Sequence, residues 1–157
     1  MAVGRDAEVQ GDLMMTWAEI PPSPGHVFFD RLQKLLTDAG FDAFAKETCK
    51  PYYAPTMGAP SLPPGRYFPM HVVGYFEGID SDRGIAWRCS DSYSLRDFLR
   101  LVNRDKVPDH SRLSKTRSRL PHEVHEKVFE FVLKLVAERG LGADKIGPHH
   151  LERKAIP

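Results

Sequence analysis

The chain has little cysteine: Cys49 and Cys89 are the only two among 157 residues, forty positions apart and with no CxxC spacing. That sparsity argues against a disulfide framework and against a structural zinc knuckle. No apolar run approaches the ~20 residues that span a bilayer, which excludes a transmembrane helix on sequence grounds. Arg5, Asp6, Glu8 and Asp12 precede any apolar stretch, an arrangement unsuited to a secretory signal. Excess charge of one sign is also missing, with 22 Lys and Arg against 21 Asp and Glu. A polybasic, histone-like protein is therefore excluded. No GxSxG, phosphate-loop, dinucleotide or HExxH pattern occurs. The expectation is a reduced, soluble, cytoplasmic protein without a membrane partner.

What is present is an ordinary globular composition, 41% hydrophobic and 27% charged, long enough for one domain with a real core. Residues 1–24 read as an irregular N-terminal arm ending in Pro21-Pro22-Ser23-Pro24. From His26, the apolar residues Val27, Phe28, Leu32, Leu35, Leu36 and Ala39 recur at helical steps, and Gly40 is placed to stop the helix. A short second helix fits 41–50. Six prolines lie within residues 51–69, which read as an extended connector crossing the core on Tyr52, Tyr53 and Leu62. Residues 67–78 are apolar on nearly all sides, a pattern for a central buried helix with Pro69 in its first turn.

The remaining segments are helical as well. Ser81 is a suitable cap for a helix through Ile85, Ala86, Trp87 and Cys89. Gly84 weakens that helix by about 1 kcal/mol relative to Ala, so something else must favour it. Ser94-Leu95-Arg96-Asp97 has capping-box spacing and opens a helix through Phe98, Leu99, Leu101 and Val102. Asp109 reads as the N-cap of a helix to about Arg119, and Pro121 starts a last helix over 121–139 that Gly140 stops. The predicted fold class is all-α: a compact multi-helix domain over 25–140 with a helix-turn-helix-like unit at 94–119, followed by a tail at 141–157.

Charge is distributed unevenly. Residues 1–50 hold five basic and eight acidic side chains, whereas 96–119 hold eight basic and three acidic. A basic block in a near-neutral chain marks a candidate anion-facing surface. Its second helix is poor in large apolar groups apart from Leu113. Arg suits guanine edges and phosphates, and Ser and Thr suit phosphate oxygens. The expected DNA-contacting residues are Ser111, Arg112, Lys115, Thr116, Arg117 and Arg119, with Arg96 and Arg100 as outer phosphate contacts. The same pattern suits an exposed structural helix. His122 and His125 lie i, i+3 without a third ligand, and His149-His150 sits beside Pro148 in the tail, so no metal site is expected. Glu77, Asp80 and Asp82 suit helix termini. No catalytic residue can be named.

Several of these segments also occur together elsewhere. Pro64-Gly65-Arg66-Tyr67-Phe68, Val73-Gly74-Tyr75-Phe76-Glu77-Gly78-Ile79-Asp80-Ser81 and Arg83-Gly84-Ile85-Ala86-Trp87-Arg88-Cys89 resemble the N-terminal region of bacterial insertion-sequence transposases of the InsH-like, acidic-triad (DDE) type. Ser94-Leu95-Arg96-Asp97-Phe98-Leu99 is similar to their SLREFL helix, and Pro108-Asp109-His110-Ser111-Arg112-Leu113-Ser114 to their PDHSTLS segment. Glu123-Val124-His125 and Phe129 to Leu141 are similar to the helix that leads into their catalytic domain. The likeness runs from about Met15 to Ile146. It implies binding of double-stranded DNA at transposon ends, with the chain itself or a full-length transposase as a further partner. An alternative is a helical interaction fragment that pairs with the full-length enzyme, or a relic.

In that family a ribonuclease-H-like domain follows, and its three carboxylates hold Mg²⁺ for strand cleavage. Here Lys145-Ile146-Gly147 runs into Pro148-His149-His150-Leu151-Glu152-Arg153 in place of the expected aspartate. The resemblance therefore implies a truncated, non-enzymatic chain without a cofactor of its own.

Overall fold

Val27–Asp38 forms α1, with Phe29, Leu32 and Leu36 buried at three- and four-residue steps. The structure, a computed structural model, describes residues 27–54, 61–102 and 104–141. The arm expected at 1–24, part of the connector, and all of the tail beyond Leu141 lie outside the described residues. Gly40 stops α1 at φ 70° and leads into α2, Phe41–Cys49, which a short 3₁₀ turn at Lys50–Tyr52 extends. Then come α3 (Pro64–Glu77), α4 (Asp82–Asp91), α5 (Tyr93–Phe98), α6 (His110–Arg119) and α7 (His122–Glu138). Among the described residues the fold is all helix, and no helix is long and apolar enough to cross a membrane.

The centre of the domain is α3. Every residue from Tyr67 to Phe76 is buried, which is the all-round apolar pattern read as structure. Its rings reach in several directions: Phe76 meets Phe28 of α1 at 4.9 Å, and Tyr75 meets Phe129 of α7 at 5.8 Å. Phe29 of α1 packs on Phe98 of α5 at 5.1 Å, and Phe44 stacks on Phe131 at 4.5 Å to tie α2 to α7. A fully buried ring such as Phe29, Phe98 or Phe129 is worth roughly 1.5–3 kcal/mol in apolar transfer. Cys49 and Cys89 lie in this core as free thiols, and burial pushes them up to about 11 and about 12.

Three expectations need correction. The helix of the Pro-rich region begins at Pro64 rather than 67, because Pro64 takes the first helical position, where its missing N–H costs nothing. Pro69 consequently lies in the second turn, and its ring nitrogen cannot donate to Gly65 O. The Arg100 guanidinium lies 3.5 Å from that carbonyl. The cap of α5 is Ser92, whose hydroxyl accepts from Leu95 N–H, and not Ser94. This helix also ends early, at Phe98. Arg100 turns left-handed at φ 56°, and Leu101 N–H returns to Arg96 O at 3.0 Å.

The third correction concerns the expected helix-turn-helix-like unit. Residues 99–109 separate α5 from α6, far more than the three or four residues of such a turn. The helix that α6 packs against is α4, while α5 packs on α1 and α4. Close packing at the α3–α4 corner accounts for Gly74 and Gly84. A Cβ on Gly74 would fall 2.7 Å from Ile85 Cδ1, and one on Gly84 would fall 2.8 Å from Ile79 Cγ2.

Candidate nucleic-acid interface

Helix α6 starts at a well-formed cap. Asp109 Oδ1 accepts from Arg112 N–H at 2.9 Å and from the Ser111 hydroxyl at 2.8 Å. These two bonds hold the Asp109 carboxyl below its ordinary range, the backbone bond contributing most. Ten residues give a rod about 15 Å long. Leu113, Thr116 and Leu120 are buried, so this stripe faces the body of the domain. At about 100° per residue, Ser111, Lys115 and Ser118 lie on the opposite side. Arg112 and Arg119 form one edge of that exposed face, and His110 and Ser114 the other.

The eight residues expected to touch DNA divide sharply. Arg112 and Lys115 are exposed and form no ion pair among the described residues. The exposed Arg119 guanidinium lies over the Tyr53 ring at 5.4 Å. Ser111 is exposed, but its hydroxyl already donates to Asp109. Thr116 is buried, and its hydroxyl donates to Arg112 O at 2.9 Å, which turns it away from any partner in solvent. Arg96 donates to Asp105 O at 2.7 Å and braces the segment between α5 and α6. Arg100 makes a two-pronged pair with Asp42 at 2.5 and 2.9 Å, in space that a side chain on Gly65 would fill.

Arg117 faces inward. Its Nη2 donates to Asp82 Oδ1 at 2.6 Å, and Asp82 Oδ2 accepts the Ser114 hydroxyl at 2.8 Å. One carboxylate at the first turn of α4 thus holds two positions of α6. The guanidinium also stands beside the Tyr67 hydroxyl. That hydroxyl lies 2.7 Å from His125 Nε2, and His125 Nδ1 lies 3.1 Å from Pro121 O. A carbonyl can only accept, so Nδ1 carries the proton and Nε2 accepts from Tyr67. Burial lowers His125 below the ordinary histidine range. The His71 ring lies tilted against Tyr67 at 4.5 Å, and burial holds it down to about 3, with Arg117 and His125 adding to the effect.

This network settles the role of the histidines near the start of α7. His125 is a buried hydrogen-bonded group, while the exposed His122 pairs with Glu126 at 3.2 Å. Two of the acidic residues at the α3 and α4 termini are also engaged, Glu77 with Arg88 at 2.6 Å and Asp82 with Arg117. No group of three or more His, Cys, Asp or Glu among the described residues is placed to hold a metal ion.

Outside the expected set, one residue touches α6 and a second lies further along the helix that α6 packs on. Arg83 Nη2 donates to His110 Nε2 at 3.4 Å, and Trp87, one turn further along α4, is 69% exposed. A tryptophan this exposed on a helix with a buried opposite face departs from the amphipathic pattern, and that was the available signal.

Against known proteins, residues 17–119 match the family model described as Transposase domain (DUF772). The matched region takes in α1 to α6 and stops at Arg119, where α6 ends. Neither the curated proteins nor the solved structures give a match.

Proposed function

The chain belongs to the transposase-domain family (DUF772), and from that premise we propose that it is the DNA-binding N-terminal part of an insertion-sequence transposase of the InsH-like type. It binds the double-stranded ends of the mobile element and does not itself cut them. The observation that carries this reading is the division within α6. Arg117 is spent inward, on Asp82, while Arg112 and Lys115 project from the solvent face without a counter-ion among the described residues.

A helix about 10–12 Å across with its side chains fits the ~12 Å major groove of a duplex. Arg112 and Lys115 would neutralise backbone phosphates and set the register, and Arg112 has the fork geometry for a guanine edge. Arg119 reaches the same backbone from the edge of the face. Because the serine hydroxyls already donate within the chain, the cations supply most of the contact. Such a role places the protein in the cytoplasm with the chromosome, and no cofactor takes part in binding.

The test is a competition titration with a labelled duplex carrying the terminal sequence of the element that encodes the chain. Preference for that duplex over a scrambled one, with affinity falling as salt rises, is the expected result. Equal, salt-insensitive association with both would contradict it.

A further inference from the structure

Beyond α6, the exposed face of α4 continues in one direction. Arg83, Trp87 and Ser90 recur at helical steps on the side of α4 opposite Ile85, Ala86 and Cys89, which are buried. The stripe begins where Arg83 touches His110 at the start of α6. About 10 Å along the helix axis it reaches Ser90 and Asp91, at the lip of an open pocket of about 680 Å³. Tyr93, Arg96, Arg104 and Lys106 line the remainder of that pocket together with Asp105 and Val107. Arg104 and Lys106 are exposed, and Asp105 is held in place by accepting from Val102 N–H at 3.2 Å. The path therefore carries four cations and two exposed aromatic rings against two carboxylates.

We propose that this path is a second DNA-contacting surface: the backbone of the duplex seated on α6 runs over Arg83 and Trp87 into the pocket walled by Arg104 and Lys106. The inference rests on the reading of α6 as a DNA-contacting helix and extends its footprint. Charge selects the occupant. A second copy meeting this surface through two-fold symmetry would set its excess of positive charge against the same excess. A polyanion meets cations at both ends of the stripe and the flat face of Trp87 between them. Arg104 and Lys106 are two phosphate contacts in this arrangement, and Arg83 is a third.

The chain has two tryptophans, Trp17 and Trp87, so Trp17→Phe leaves Trp87 as the sole indole reporter. Titrating that variant with a duplex should change Trp87 emission, and added salt should reverse the change. In a separate series, Arg104→Ala with Lys106→Ala should reduce the slope of log affinity against log salt by about 1.8, from roughly 0.9 per phosphate contact. A silent Trp87 and an unchanged slope, in a protein whose binding still falls on Arg112→Ala with Lys115→Ala, would overturn the second surface and leave α6 standing. Salt-dependent binding that ignores the α6 substitutions but responds to those at 104 and 106 would overturn α6 as a contact and keep the surface on α4. An absence of salt-dependent binding would overturn both.

Discussion

Arg117 and Asp82, thirty-five residues apart in sequence, meet at 2.6 Å where α6 crosses the first turn of α4. The pair makes a basic residue of the candidate interface into a fixing point for the interface itself. Its carboxylate is only 11% exposed and its guanidinium 35%, so water screens the pair incompletely. Replacing Arg117 with Ala leaves Asp82 partly buried without its ion partner. The expected loss is about 2 kcal/mol, reduced from the range for fully buried pairs because of that exposure. Arg112→Ala, at an exposed position, should stay within about 0.5 kcal/mol of wild type. Urea denaturation of the two variants separates the roles, and equal stabilities would contradict the division within α6.

A second prediction concerns the crossing of α3 and α4. Gly74 leaves room for Ile85, whose Cδ1 would lie 2.7 Å from an added Cβ. Gly74→Ala should destabilise by about 1–3 kcal/mol through overpacking, despite the better helix propensity of Ala. Combining it with Ile85→Ala, which removes both Cδ1 and the Cγ1 that would lie 2.8 Å away, should cost less than the sum of the two single losses. Thermal melts of the two single variants and the double variant give the coupling directly, and strict additivity would show that the two side chains do not compete for the same space.

Arg100 combines a backbone demand with a side-chain one. It sits left-handed at φ 56° to end α5, and its guanidinium pairs with Asp42. Arg100→Ala and Arg100→Gly both remove the pair, which at half exposure contributes about 0.2–1 kcal/mol. Glycine alone relieves the left-handed backbone. Arg100→Gly should therefore be more stable than Arg100→Ala by about 1 kcal/mol. Equal melting temperatures would contradict the conformational part of that account.

Stability should fall in acid partly because of one buried imidazole. His71 titrates near 6.5 when free, but burial holds it down to about 3 in the fold. As pH drops below 6.5 the unfolded chain takes up a proton that the folded chain refuses. The contribution of this group is thus complete above about pH 6.5 and is lost progressively toward pH 3, at about 1.4 kcal/mol per pH unit of separation. Arg117 and His125 act on it electrostatically, the Tyr67 ring packs against it, and its Nε2 has no hydrogen-bond partner among the described residues. His71→Phe should flatten the fall in stability between pH 6.5 and 3, measured by denaturant midpoints. An unchanged pH profile would contradict a buried neutral His71.

The parts of the fold legible in sequence were those decided locally. Gly40 and Gly140 end helices, and Ser81 and Asp109 begin them, because a cap depends on three or four adjacent residues. Where several candidates compete, burial decides. Ser92 and Ser94 are both able caps, and the structure uses Ser92, which places Leu95 and Phe98 in the core. Pro64 was a readable first helical position obscured by the surrounding prolines. Arg112 and Lys115 were legible as surface cations. The inward turn of Arg117 was not, because it depends on Asp82 and Tyr67, which no local spacing connects to it.

If the exposed cations of α6 hold DNA, the salt dependence of duplex binding must differ between wild type and Arg112→Ala with Lys115→Ala. Two lost phosphate contacts predict a slope of log affinity against log salt shallower by about 1.8, with an unchanged melting temperature. The same slope in both proteins would contradict the assignment of α6 as the DNA-contacting helix.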